Sequence, residues 1–177
     1  MSAEKVASEL TVAILPLGDV SPWQIQLTEL VLKREFGVKT KELLIKKIPR
    51  QLFNVDRGRY QAVLTLWFLY SQLPADSQRI MGITESDLEY TDTSPCLGYA
   101  DFDDGMAIYS VPRLVGPQYD ESDRDAVSYH LIVHEFSHTL GLKHCNQSDC
   151  AINIQLFNLR LCASCQLRAN SACADKR

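Results

Sequence analysis

"HEFSHTLGLKHC", residues 134–145, gathers three of the four histidines in the chain with a glutamate and a cysteine. On a helix, the spacing of His134 and His138 puts both imidazoles on one face, one turn apart, where they can share a cation. Glu135 points aside from that pair but stays within reach of a water held by the cation. Gly141 lacks a Cβ and so accepts the backbone geometry that ends a helix, and the turn can return His144 as a third nitrogen donor. Three imidazoles suit zinc, and three protein ligands instead of four leave a position open for water, as in catalytic sites. Zinc lowers the pKa of that water to about 7, and Glu135 can take its proton during attack on a peptide carbonyl and pass it to the leaving amine. Peptide-bond hydrolysis is the expected reaction. A histidine pair that only packs or faces solvent is the competing reading, opposed by the third histidine and its glycine turn. His130, one turn before His134, shares its phase but reads as a surface or packing residue, because three ligands suffice.

Directly after the cluster come Cys145 and Cys150, then Cys162 and Cys165 as a CxxC. Two close pairs of thiolates frame a closed tetrahedral zinc site, here a structural one that would pin the C-terminal segment to the end of the active-site helix. Two disulfides or free thiols are the alternative. Cys96 and Cys173 have no close partners in sequence and read as plain thiols.

Outward from the motif, "DAVSYHLIVHEFSHTLGL" reads as a helix ended by Gly141, with Ser122 and Asp125 resembling a capping box at its start. Before it, "LGYADFDDGMAIYSV" reads as two strands joined at Asp104-Gly105 in a tight hairpin. Near-continuous apolarity over residues 10–17 predicts an internal parallel strand closed by Gly18. A helix follows, with Ser21 as N-cap, Pro22 at the first position, apolar Trp23, Leu27, Leu30 and Val31, and Gly37 as C-cap. "VKTKELLIKKI" supplies the next strand, "RYQAVLTLWFLYSQL" a buried helix ended by Pro74, and "QRIMGIT" a third short strand. Strands alternating with helices, then a hairpin, predict an α/β (α+β) fold with a mixed twisted sheet and an antiparallel edge strand.

The 177 residues can bury one full core, so a single domain is expected over 1–177. Within it, residues 1–133 form the sheet and helices, 134–165 the metal motifs and 166–177 a tail. Hydrophobic residues at 46% and charged residues at 23% place the chain among globular proteins. A net charge of -4, with lysines and arginines scattered, leaves no basic face for nucleic acid. "LTVAILPLG" is too short to span a bilayer and follows acidic residues, so neither a membrane anchor nor a signal peptide is expected. The expected setting is the cytoplasm, where cysteines bind metal more often than they form disulfides. No heptad or exposed apolar face speaks to the oligomeric state.

At these residues the sequence resembles the archaemetzincins, metzincin-like zinc peptidases with the pattern HExxHxxGxxHC, four residues, CxM, a spacer and CxxC. Here the pattern stands as "HEFSHTLGLKHC", "NQSD", "CAI" and "CASC". The resemblance implies a metzincin-like fold and two zinc ions per chain. His134, His138 and His144 would bind the catalytic zinc with Glu135 as general base, and Cys145, Cys150, Cys162 and Cys165 the structural zinc. It also implies a peptide or protein substrate aligned along an edge strand within residues 98–111, by strand addition. The chain departs from the pattern twice. Ile152 stands where the family has a methionine forming an apolar floor under the metal, with Ile154 rather than a tyrosine two residues on. The spacer before Cys162 is also shorter, which implies the loss of part of one cleft wall. A different class of function, a zinc-binding module that holds peptides or partner tails and cleaves little, shares every metal ligand; Glu135 favours the enzyme. A secreted, disulfide-bonded protease is a third reading, opposed by the missing signal.

Overall fold

In the computed structural model, which describes residues 10–111 and 121–175, the first apolar run forms strand β1 (Thr11–Leu17). Helix α1 (Pro22–Phe36) follows with both expected caps: the Ser21 hydroxyl accepts from the Gln24 N–H, and Gly37 ends the helix at φ 64°. Ile25, Leu27, Val31, Leu32 and Phe36 form its buried face, whereas Trp23 and Leu30, expected on that face, are exposed. The Trp23 indole N–H instead donates to the Asp125 carboxylate, 2.8 Å away.

Only Lys39–Glu42 of the next expected strand forms (β2), with a single further bridge between Lys46 and Leu17. The stretch expected as one buried helix divides. A hairpin of β3 (Phe53–Asn54) and β4 (Arg59–Gln61) leads into helix α2 (Ala62–Tyr70). Its buried residues are Ala62, Thr65, Leu66 and Leu69, and Trp67 and Tyr70 face outward. Apolarity all round misled here, because one face of this short helix packs and the other does not. Strands β5 (Arg79–Thr84), β6 (Leu88–Glu89) and β7 (Pro95–Cys96) come next, then the expected hairpin of β8 (Gly98–Ala100) and β9 (Met106–Ser110), joined by a loop over 101–105 that ends at Gly105 rather than by a tight turn. Helix α3 (Glu121–Thr139) carries the histidines. The capping box proposed at Ser122 involves a side chain outside the described residues. The expected tail is instead a helix, α4 (Ala163–Asp175), starting straight after Cys162 and burying Cys165 and Ala169.

The main sheet runs β2-β1-β5-β9-β8, parallel except for the antiparallel edge β8, and a small sheet runs β3-β4-β6-β7. Strand β1 is apolar from Val12 to Leu17, where both its faces are buried. Val12 and Ile14 join a core shared with α1, α3 and α4, whereas Ala13, Leu15 and Leu17 join one shared with α2. Buried polar groups fix how α1 meets its neighbours. Thr28 donates to the Gln24 carbonyl at 2.7 Å, so the Tyr109 hydroxyl, 2.8 Å from Thr28 Oγ1, is the donor of that pair. Tyr129 of α3 donates to Glu35 of α1, and the Gln166 amide of α4 to the Glu35 carbonyl at 2.9 Å. Among the described residues, no helix is long and apolar enough to cross a membrane.

The hairpin also positions the end of α3. Arg79 Nε–H donates to the Thr139 carbonyl at 3.1 Å, a cation set where the helix dipole is negative. Gly105, at φ 70°, leaves room for it: a Cβ there would lie 2.8 Å from Arg79 Nε. Gly105→Ala therefore adds left-handed backbone strain and displaces this cap. Its expected cost, read from denaturant unfolding, is about 2–4 kcal/mol.

Candidate functional site

Gly141, at φ 77°, ends α3 and lets the chain double back. Its N–H reaches the His138 carbonyl at 2.9 Å, and the Leu142 carbonyl comes within 2.7 Å of His138 Nδ1. The same turn returns His144. One donor atom from each of His134, His138 and His144 lies within 4.8 Å of the others. Ring centroids are 4.8 Å apart for His134 and His138, 5.4 Å for His134 and His144, and 4.9 Å for His138 and His144.

Nδ1 of His134 is 2.9 Å from the Ala151 carbonyl. A carbonyl can only accept, so Nδ1 of both His134 and His138 carries the proton and Nε2 keeps a lone pair for a cation. Burial holds the His134 pKa down to about 4 and lowers that of His138. Both imidazoles are therefore neutral at ordinary pH, the form that ligates metal. These donors fit a zinc ion. Behind them the Phe102 ring, on the β8–β9 hairpin, packs on His138 at 4.9 Å.

Glu135 is only 7% exposed and lines the same cleft, of about 450 Å³, as His134 and His144. Burial pushes its carboxyl up to about 8. Gly98, the first residue of edge strand β8, makes room for it: a Cβ there would lie 2.7 Å from Glu135 Cγ and Cδ and nearer still to Oε1. Sequence reading missed this residue, although a glycine within a strand often marks a close approach. The orienting carbonyls of Leu142 and Ala151 leave no such signal, since any residue could supply them.

The four cysteines Cys145, Cys150, Cys162 and Cys165 also converge, their sulfurs within 4.8 Å of one another. Cys145 and Cys162 sulfurs are 4.0 Å apart, about twice a disulfide bond length of 2.05 Å. None of the six cysteines is in a disulfide. Burial raises the pKa of Cys150 and Cys165. Burial also opposes ionisation of Cys162, but hydrogen bonds from the Cys165 backbone and side chain outweigh it and bring its pKa down. Four sulfurs gathered this closely suit a closed metal site. The clusters share a backbone: Cys145 N–H donates to the Ile152 carbonyl at 3.1 Å, and Ala151, beside Cys150, orients His134. Ile152 is fully buried in the core. Cys96 is buried in the cleft wall and Cys173 partly buried on α4. His130 stays outside the triad but is no bystander: its Nδ1 donates to the Asn158 carbonyl at 2.7 Å.

No family model matches the chain. It is 27% identical over 168 residues to the archaemetzincin of Methanocaldococcus jannaschii, covering 88% of this chain and 90% of that one. It is equally identical over 172 residues to the archaemetzincin of Halobacterium salinarum, covering 89% and 98%. Among solved structures, the archaemetzincin of Methanopyrus kandleri superposes with a TM-score of 0.83 at 22% identity, covering 96% of this chain and 98% of that one. A zinc-dependent peptidase from Methanocorpusculum labreanum gives 0.75 at 21% identity, covering 90% and 100%. The resemblance in the metal motifs thus extends to nearly the whole chain, and the fold is theirs.

In metal-free protein, Glu135 has a raised pKa, so its contribution to stability is full below about 4.5 and is lost as the pH rises through about 8. Stability measured by denaturation should fall across that window, and Glu135→Gln should flatten the slope. A cation in the histidine triad should flatten it too, because positive charge favours the carboxylate.

Proposed function

We infer that this chain, similar to the archaemetzincins over nearly nine-tenths of its length, is a zinc metallopeptidase that hydrolyses peptide bonds with Glu135 as general base. One observation carries the reading. Three imidazoles converge, those of His134 and His138 with Nε2 free, and a buried carboxyl group on the same helix as these two lines the same cleft. A purely structural metal site gains nothing from that carboxylate.

His134, His138 and His144 would hold one zinc, which when bound supplies Lewis acidity that makes water acidic near neutral pH and polarises a carbonyl. Glu135 takes a proton from the attacking water as its oxygen bonds to the carbonyl carbon. It then gives that proton to the amine nitrogen as the C–N bond breaks. Burial alone holds this carboxyl in its protonated form, and the charge of a zinc ion in the triad would favour the carboxylate, the form that can take the proton. The substrate would be an extended peptide added to the β8 edge of the sheet, with its carbonyl opposite Glu135.

Cys145, Cys150, Cys162 and Cys165 would hold a second, structural zinc. It would fix the loop that carries Ala151 and the start of α4, and so the orientation of His134. A four-cysteine zinc site would suit a reducing, cytoplasmic setting.

Elemental analysis should find two zinc ions per chain, falling to one when Cys162 and Cys165 are both replaced by serine. Glu135→Gln should keep both ions and lower kcat/KM by about 10²–10⁴-fold. One zinc that disappears with those cysteines would instead favour the binding-module reading. Gly98→Ala should also keep both ions. Its methyl group displaces the Glu135 carboxylate, and the expected loss in kcat is about 10²-fold or more.

A further inference from the structure

His130 lines the cleft one helical turn before His134. Besides donating from Nδ1 to the Asn158 carbonyl at 2.7 Å, its ring lies against Phe157, with centroids 4.7 Å apart and planes at 34°. Asn158 is tied down in turn, because its amide donates to the Ser148 carbonyl at 2.9 Å, inside the loop between Cys145 and Cys150. His130 therefore grips two successive residues of the segment that follows the cysteine loop.

That segment carries an unusual surface. Ile154, Leu156 and Phe157 all line the cleft, yet are 68%, 47% and 52% exposed. Single exposed apolar residues need no explanation, but three within four positions on one cleft wall mark a surface that something apolar covers. Residues 153–158 form no helix or strand. Their position depends in large part on side-chain ties, and among the described residues His130 supplies two that reach α3.

We propose that His130 is a specificity-determining positioning residue. By holding Phe157 and Asn158 to the active-site helix, it presents Ile154, Leu156 and Phe157 as an apolar wall, so that the cleft selects peptides with a large apolar side chain next to the scissile bond. The proposal rests on the peptidase reading. The wall is continuous with His134, Glu135 and His144 in one cleft, which makes a substrate side chain its occupant.

The test uses zinc-loaded Glu135→Gln, which should bind peptides without cutting them. Fluorescent peptides identical except for leucine or asparagine beside the central bond, placed on one side and then the other, are titrated by anisotropy. Leucine should bind about 10-fold or more tightly than asparagine at one of the two positions, the factor that burial of one such side chain supports. Adding His130→Ala or Phe157→Ser should bring the ratio close to one while zinc content stays unchanged. His130→Asn, whose amide nitrogen can take the place of Nδ1 and donate to the Asn158 carbonyl, should retain part of the preference. A ratio near one without these substitutions overturns the proposal, as does a full preference that survives His130→Ala. Failure of either peptide to bind at millimolar concentration overturns the peptidase reading itself; binding without discrimination overturns the wall alone.

Discussion

The hydrogen bond from His134 Nδ1–H to the Ala151 carbonyl, 2.9 Å long, joins the two halves of this molecule. His134 stands on α3, which packs against the main sheet and α1, whereas Ala151 belongs to the irregular loop between the cysteine pairs. Alone, such a bond contributes about 1 kcal/mol, too little to hold a loop that lacks regular structure. Metal in a closed cysteine site contributes about 10–16 kcal/mol in small zinc domains. The proposed structural zinc would therefore fix the loop, and the Ala151 bond would convert that rigidity into a single orientation of the His134 ring. The cysteine cluster is in this sense part of the histidine site, although no sulfur belongs to the triad.

Glu135 illustrates the opposite balance. A carboxyl buried under an edge strand, with its pKa lifted by desolvation alone, destabilises the metal-free fold once it ionises. The fold makes room for it through Gly98, at a strand position where a Cβ would collide with the carboxyl group. An arrangement that lowers stability and also constrains a neighbouring residue belongs to a site rather than to a core.

Much of the framework was legible because its signals are local and have one physical cause each. Ser21, Pro22 and Gly37 satisfy or omit backbone groups at helix ends, and Asp104-Gly105 tolerates a positive φ, so the elements they bound appear where expected. The triad and the cysteine cluster were legible for a similar reason: donor atoms for one cation must recur at short, fixed spacings. The second sheet was not legible, since strands of two or three residues carry no period. Helix α4 was read as a tail because its buried face, Cys165 and Ala169, is too narrow to give an amphipathic pattern. His130 was read as a bystander since its partners, a carbonyl at 158 and a ring at 157, lie across a loop whose path no local rule predicts.

The departure at Ile152 can be weighed in the same terms. Its backbone carries the specific contact in this turn, accepting from Cys145 N–H at 3.1 Å, and any residue there offers the same carbonyl. Its side chain is fully buried in the core that α1, α3 and α4 share with the sheet, so what the position requires is volume and apolarity. Isoleucine and methionine are both large and aliphatic, and such exchanges usually cost under about 1.5 kcal/mol when neighbours can repack. Isoleucine is branched and stiff where methionine is flexible, so the side chain at this core position is the more rigid of the two. His134 and His138 take their orientation from the Ala151 and Leu142 carbonyls, backbone acceptors that either residue at 152 leaves in place.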